Sequence, residues 1–218
     1  LCASTSCGVA SSPAAPVCGG THDDSTIRTV VVAWLSASST ASLEATYGHI
    51  STWKTGGVTD MSYLFCTYSV WASYGCNTAA ASFNDEIGAW DTSSVTTTEY
   101  MFFEASAFNR DIGDWAVHNV VDMRSMFYGA SAFNQDLGDW AVQSATNMGG
   151  IFSSASAFDQ DLGWCVDDDV DLGYAFDDTP CESTSCGVKW ETNTGDCDVP
   201  STGNVMVNWK IKGAVAAW

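Results

Sequence analysis

A 25-residue repeat constrains this chain more than any other feature. Phe-Asn or Phe-Asp recurs at Phe83-Asn84, Phe108-Asn109, Phe133-Asn134 and Phe158-Asp159, and Gly88, Gly113, Gly138 and Gly163 keep the same step. Trp90, Trp115 and Trp140 follow two residues after their glycines, with Trp53 in register upstream. A second block reads Val58-x-x-Met61-x-x-Leu64-Phe65, then Val95-x-x-Thr98-x-x-Met101-Phe102. It returns as Val120-x-x-Met123-x-x-Met126-Phe127 and Ala145-x-x-Met148-x-x-Ile151-Phe152, and closes on the shortened Val170-Asp171-Leu172-x-x-Ala175-Phe176. A repeat this short cannot bury an apolar face alone, so its copies must stack on one another.

Within one copy, Val120, Met123, Met126, Phe127 and Ala130 recur at three- and four-residue steps, the stripe of a short helix. Residues 137–142 are rich in β-formers and bounded by turn residues, which predicts a strand. One helix and one strand per copy predict an α/β repeat fold, a leucine-rich-repeat-like solenoid with a parallel sheet, short helices and a helical N-terminal cap. In that cap, Ile27, Val30, Val31, Trp34 and Leu35 form the apolar stripe, with Asp24 or Ser25 as N-cap and a second helix over 43–47. The Met and aromatic stripe reads as core packing. The phrase FNQDLGDWAV, followed by NM, F and ASAFDQDLGW, closely resembles the BspA-like leucine-rich repeats of bacterial, protist and algal surface proteins. The resemblance covers about residues 48–188 and implies a solenoid on a cell surface or in an extracellular matrix, with no enzyme activity. An insertion between Phe65 and Phe83, carrying Cys66 and Cys76, departs from the usual pattern.

A longer period surrounds the short one. Cys2-Ala-Ser-Thr-Ser-Cys7-Gly-Val9 returns as Cys181-Glu-Ser-Thr-Ser-Cys186-Gly-Val188, and Cys18 returns as Cys197, all offset by 179 residues. The segment from Ile27 to Trp34 aligns with that from Ile211 to Trp218 after a five-residue insertion. The expectation is a window on a longer protein of tandem units. Residues 1–24 are then the tail of a preceding unit with a disulfide linker, and 25–49 the helical cap. Residues 50–188 form a five-coil solenoid, and 189–218 a linker and the start of the next unit.

Nine cysteines in a Lys-poor, Ser/Thr-rich chain point to an oxidising, extracellular setting. Aligning Gly138 with Gly163 places Cys165 where Trp140 stands one copy earlier, pointing inward, to pair with Cys181. Cys66–Cys76 closes the insertion, Cys186–Cys197 and Cys7–Cys18 are counterparts, and Cys2 pairs outside the chain. Cys2–Cys18 with Cys181–Cys197 is the rival connectivity. Zinc is a weaker rival, since no Cys-x-x-Cys pair is present and there are only three histidines.

The chain carries 26 acidic against 7 basic residues, a formal charge of −19. Such a surface excludes nucleic acid as a partner. The longest apolar stretch, 30–35, is too short to insert into a membrane. Nucleophile elbow, P-loop and dinucleotide fingerprint are absent, and His22, His49 and His118 stand in unrelated contexts, so no enzyme is expected. Glu86, Asp111, Asp136 and Asp161 occupy equivalent positions and form a column of like charge, stabilised by backbone N–H groups or by a cation. They are the candidate calcium site; Asp167, Asp168, Asp169 and Asp171 are a second, and no other cofactor is expected. The column of Asn84, Asn109, Asn134 and Asp159 reads as an internal ladder for turn backbone. No N-glycosylation sequon occurs, whereas residues 11–16 invite O-glycosylation and read as an inter-unit linker.

The leading expectation is a structural subunit of an extracellular fibre or surface appendage, with identical units as head-to-tail partners. The alternative is an adhesin or receptor module binding a protein or glycan. An exposed aromatic cluster favours the second; a covered face or contacts between units favour the first.

Overall fold

A computed structural model describes residues 21–190. Strand β1 (Thr21–Asp23) runs into helix α1 (Asp24–Ser36), followed by α2 (Ala41–Tyr47) and strand β2 (Lys54–Gly57). Strands β3 (Cys165–Val166) and β4 (Lys189–Trp190) come late in the chain. β1 pairs with β2 and β3 with β4, each in parallel.

Between them the chain does not form the leucine-rich-repeat-like solenoid expected from the spacing. Among the described residues its parallel sheet is absent: two two-stranded sheets and a line of isolated parallel bridges, Asp60–Thr97–Asp122–Asn147–Asp171, stand in its place. The short helix of each copy is also absent. Backbone N–H groups there alternate between two destinations. Those of Thr98, Tyr100, Phe102 and Glu104 donate to the carbonyls of Asp122, Arg124, Met126 and Tyr128 in the next copy, at 2.7–2.9 Å. Those of Met101, Phe103 and Ala105 donate three residues back within their own copy. A helix keeps every N–H in its own segment; here half leave it. Left-handed residues make the alternation, at Tyr100 (φ 54°) and Glu104 (φ 57°), and one copy on at Ser125 (φ 49°) and Gly129 (φ 65°). The strand expected over 137–142 is a turn, with Trp140 N–H donating to the Leu137 carbonyl at 3.0 Å.

The repeated apolar residues are nonetheless the core. Phe65, Phe102, Phe127, Phe152 and Phe176 stack face to face at 5.3–6.2 Å. Phe83, Phe108, Phe133 and Phe158 form a second column at 5.8–6.1 Å, and each contacts its neighbour in the first at about 4 Å. Each buried ring contributes about 1.5–3 kcal/mol by leaving water, and stacking adds about 0.5–1.5 kcal/mol. Tryptophans line the other side. The indole N–H of Trp90, Trp115, Trp140 and Trp164 donates to the carbonyl of Ile50, Ile87, Ile112 and Leu137 respectively, at 2.9–3.2 Å. These bonds satisfy buried carbonyls between copies.

Trp164, not Cys165, takes the place expected to follow Trp140; the two rings stack at 6.2 Å. The last copy is one residue shorter here, and left-handed Gly163 (φ 58°) turns the indole inward and leaves Cys165 only half-buried.

Disulfides join Cys66 to Cys76 and Cys181 to Cys186. The expected Cys165–Cys181 and Cys186–Cys197 pairs, and the rival Cys181–Cys197, are corrected by the second bridge. Left-handed Ser185 and Cys186 turn the chain back, so that Cys186 N–H donates to the Cys181 carbonyl at 3.0 Å. Cys165 is also disulfide-bonded, but not to Cys181. Cys2, Cys7, Cys18 and Cys197, and the candidate O-glycosylation stretch 11–16, lie outside the described residues.

Helix α1 covers the first copy with Ile27, Val30, Val31 and Trp34. Its N-cap is Asp23, in a reciprocal capping box with Thr26, rather than Asp24 or Ser25. That frees the Asp24 carboxylate to accept from the N–H groups of Thr59 (2.6 Å) and Asp60 (2.9 Å), tying the helix to the first copy. Burial pulls the Asp24 pKa upward, but these bonds and Arg28 outweigh it and leave it lowered. Among the described residues, no helix is long and apolar enough to cross a membrane.

Candidate ligand-binding face

The turn segment of each copy sends some side chains inward and others outward. Inward go Met61, Leu64 and Phe65 and their equivalents. Outward go three columns in register with the bridges. The left-handed position carries Tyr63, Tyr100, Ser125, Gly150 and Tyr174. The preceding position carries Ser62, Glu99, Arg124, Gly149 and Gly173, and the third carries Cys66, Phe103, Tyr128, Ser153 and Asp177.

At one end this face is aromatic. Tyr63 stacks on Tyr100 at 5.1 Å and on Tyr74 at 5.3 Å, and Phe103 stacks on Tyr128 at 4.7 Å. The Cys66–Cys76 loop folds over them, placing Trp71 5.0 Å from Tyr100 and 5.2 Å from Phe103 and Tyr68 4.8 Å from Trp71. Part of the cluster stays in water: Tyr74 is 59% exposed and Tyr68 39%, with Val70 of the same loop at 74%, while the other rings are half-buried. The Arg124 guanidinium lies 5.7 Å from the Tyr100 ring centre, a cation–π distance. Burial, then Glu99, pushes the Tyr63 phenol up to about 12; burial also raises Tyr100 against the pull of Arg124. Both are neutral near pH 7. Burial and the neighbouring Asp122 raise Glu99.

Further along, the columns lose their large side chains. Ser125, Gly149, Gly150 and Ser153 floor an open groove of about 580 Å³. Tyr128 and Arg124 bound it on the aromatic side, and Tyr174, Asp177 and Asp178 on the other. Tyr174 is 77% exposed. Asn147 and Asp171 line the edge, each holding its own turn by accepting from the N–H two residues on, at 3.2 and 2.8 Å. Asp60, Thr97 and Asp122 do the same in earlier copies.

Of the two expectations for the acidic column, backbone N–H groups or calcium, two members follow the first. Glu86 pairs with Arg110 at 2.7 Å. Asp111 and Asp136 accept from the N–H of Gly113 (3.0 Å) and Gly138 (2.9 Å), and Asp161 packs against Gly187. Among the described residues, no three His, Cys, Asp or Glu side chains come together to hold a metal ion. Asp167, Asp168 and Asp169 are exposed, and Asp171 lies at the groove. The Asn ladder runs along the surface rather than inside. The N–H groups of Asn109, Asn134 and Asp159 each donate to the side-chain carbonyl of Asn84, Asn109 and Asn134, all at 3.0 Å. The histidines lie apart: His22 is buried against Trp53, His49 caps the turn at Ile50, and His118 contacts Asn119.

The bridge column and the outward tyrosines were missed by sequence reasoning. Their signal was present as Asp, Thr or Asn two residues before each outward position, and as Tyr63, Tyr100 and Tyr174 in one register.

Residues 36–165, more than half of the chain, match the family described as Mycoplasma protein of unknown function, DUF285. No curated protein and no solved structure matches the chain significantly. The expected BspA-like leucine-rich-repeat membership is thereby corrected, because the matching family is a different one and the leucine-rich-repeat sheet and helices are not formed. The chain belongs to the DUF285 family.

Proposed function

We propose that this chain is an extracellular binding module that holds its ligand on the outward aromatic face. The observation carrying this reading is the outward cluster of Tyr63, Tyr68, Trp71, Tyr74, Tyr100, Phe103 and Tyr128, of which Tyr68 and Tyr74 are exposed and the rest half-buried, tied in place by the Cys66–Cys76 bridge. Inward residues already fill the core, so the fold does not require aromatic side chains facing water. Rigid, exposed aromatic clusters concentrate binding energy. The disulfides support an oxidising, extracellular setting. The 179-residue period supports a second, compatible reading, in which such units are strung in series as subunits of a fibre or surface appendage.

The face is tested by measuring binding of the folded chain to immobilised neutral polysaccharides, acidic polysaccharides, collagen and fibronectin. Wild type and Trp71→Ala are run in parallel. Binding to one surface, weakened at least ten-fold in Trp71→Ala, is expected. Binding to none of them, or equal binding by the variant, contradicts the proposal.

A further inference from the structure

Resting on the reading of this face as a binding site, we infer that the groove floored by Gly149 and Gly150 takes a neutral hexose oligosaccharide. The groove exists because two adjacent copies depart from their own pattern. At the left-handed position, Tyr63, Tyr100 and Tyr174 carry a phenol ring, whereas Ser125 and Gly150 carry almost nothing at the same backbone angle. The missing rings leave three copy-to-copy steps between Tyr100 and Tyr174, about 15 Å at the usual inter-strand spacing. That length suits two or three sugar rings lying along the floor.

The lining fits the chemistry of such a chain. Tyr128 and Tyr174 stand on opposite sides of the opening and offer flat faces for the C–H side of a pyranose. Asn147 and the carboxylates of Asp171, Asp177 and Asp178 offer acceptors for hydroxyl groups, and Arg124 offers paired donors. Three carboxylates against one guanidinium, in a chain of charge −19, repel sulfated or uronic glycans. The same charge does not turn away a polycation; the two tyrosine faces and the hydroxyl acceptors between them favour a neutral sugar over it, and the lysine hexapeptide below separates the two. Side chains are small where the ligand would lie and large at its two ends, the form of a site with defined length.

The test titrates the folded chain with the neutral hexamers of β-1,4-glucose, α-1,4-glucose, β-1,4-mannose and N-acetylglucosamine. A heparin hexamer and a lysine hexapeptide serve as charged probes. The groove is refilled in Ser125→Tyr/Gly150→Tyr, a change the fold accommodates at three equivalent positions; its melting curve confirms folding. One neutral hexamer is expected to bind with Kd between micromolar and millimolar, with under two-fold change between 0.05 and 0.5 M NaCl. The refilled variant is expected to bind it at least ten-fold more weakly. Binding of the lysine peptide or heparin alone, no binding of any neutral hexamer, or equal binding by the refilled variant overturns the inference. Where Trp71→Ala still abolishes capture by an immobilised partner while every neutral hexamer fails, the groove inference falls and the aromatic face stands. Failure of both measurements removes both.

Discussion

The two sides of the same turn segment behave differently from copy to copy. On the inner side every copy repeats itself: Phe102, Phe127 and Phe152 stack at 5.3–5.4 Å, and their rings are parallel within 7°. On the outer side the backbone repeats but the side chain does not, passing from Tyr63 and Tyr100 through Ser125 and Gly150 to Tyr174, all with φ between 54° and 62° except Ser125 at 49°. Stacking dictates the inner residue, because a smaller one opens a cavity between two flat rings. Nothing in the backbone dictates the outer residue. A non-glycine in the left-handed region carries strain, so tyrosine at three of five such positions works against local preference. The outer column is therefore where a requirement other than folding shows itself.

Adjacent residues separate the two sides most sharply. Phe127 is fully buried in the first phenylalanine column and touches Phe133 of the second, while Tyr128 faces outward and is half-buried. Phe127→Ala is expected to cost about 3–5 kcal/mol and to lower the melting temperature by about 10 °C. Tyr128→Ala is expected to cost about 1 kcal/mol or less. Calorimetry of both variants checks this; equal losses would erase the distinction between inner and outer sides.

A smaller effect concerns the N-terminal edge of the core. His22 is buried, its Nε2 has no hydrogen-bond partner, and burial lowers its pKa below 6.5 against the pull of Asp23. The unfolded chain therefore takes up a proton below about pH 6.5 that the folded chain resists. Stability from this residue is complete above pH 6.5 and declines as the pH falls toward its folded value. Asp23, held low by the Thr26 N–H, and Asp91, held low by the Ser93 hydroxyl, lose their contributions only below pH 3.8. Melting between pH 7.5 and 5 should thus fall in the wild type and fall less in His22→Leu. Parallel curves would remove His22 as the cause.

What could be read from the sequence follows the same division. The 25-residue step and the inward residues were legible because Phe recurs in every copy and the other inward positions stay mostly apolar. The conformation within the step was not, since apolar residues at three- and four-residue spacing serve a helix and a stack of turns equally. The destination of alternate N–H groups decides between them, and left-handed Tyr100 and Ser125 carry no helical or non-helical signature in their identity. The glycine spacing puts Cys165 in line with Trp140, but the copy is one residue shorter after Gly163, so Trp164 stands there instead. The outer face was illegible for a third reason. A column that reads Tyr, Tyr, Ser, Gly, Tyr has no period, and its meaning lies in the side chains it lacks.

The most direct test joins both sides in one preparation: Trp71→Ala/Tyr100→Ala, measured for melting temperature and for binding to whichever immobilised surface captures the wild type. The expected result is a melting temperature within about 5 °C of wild type and binding reduced at least ten-fold. Unchanged binding, or loss of binding only together with collapse of the fold, would contradict the assignment of this face.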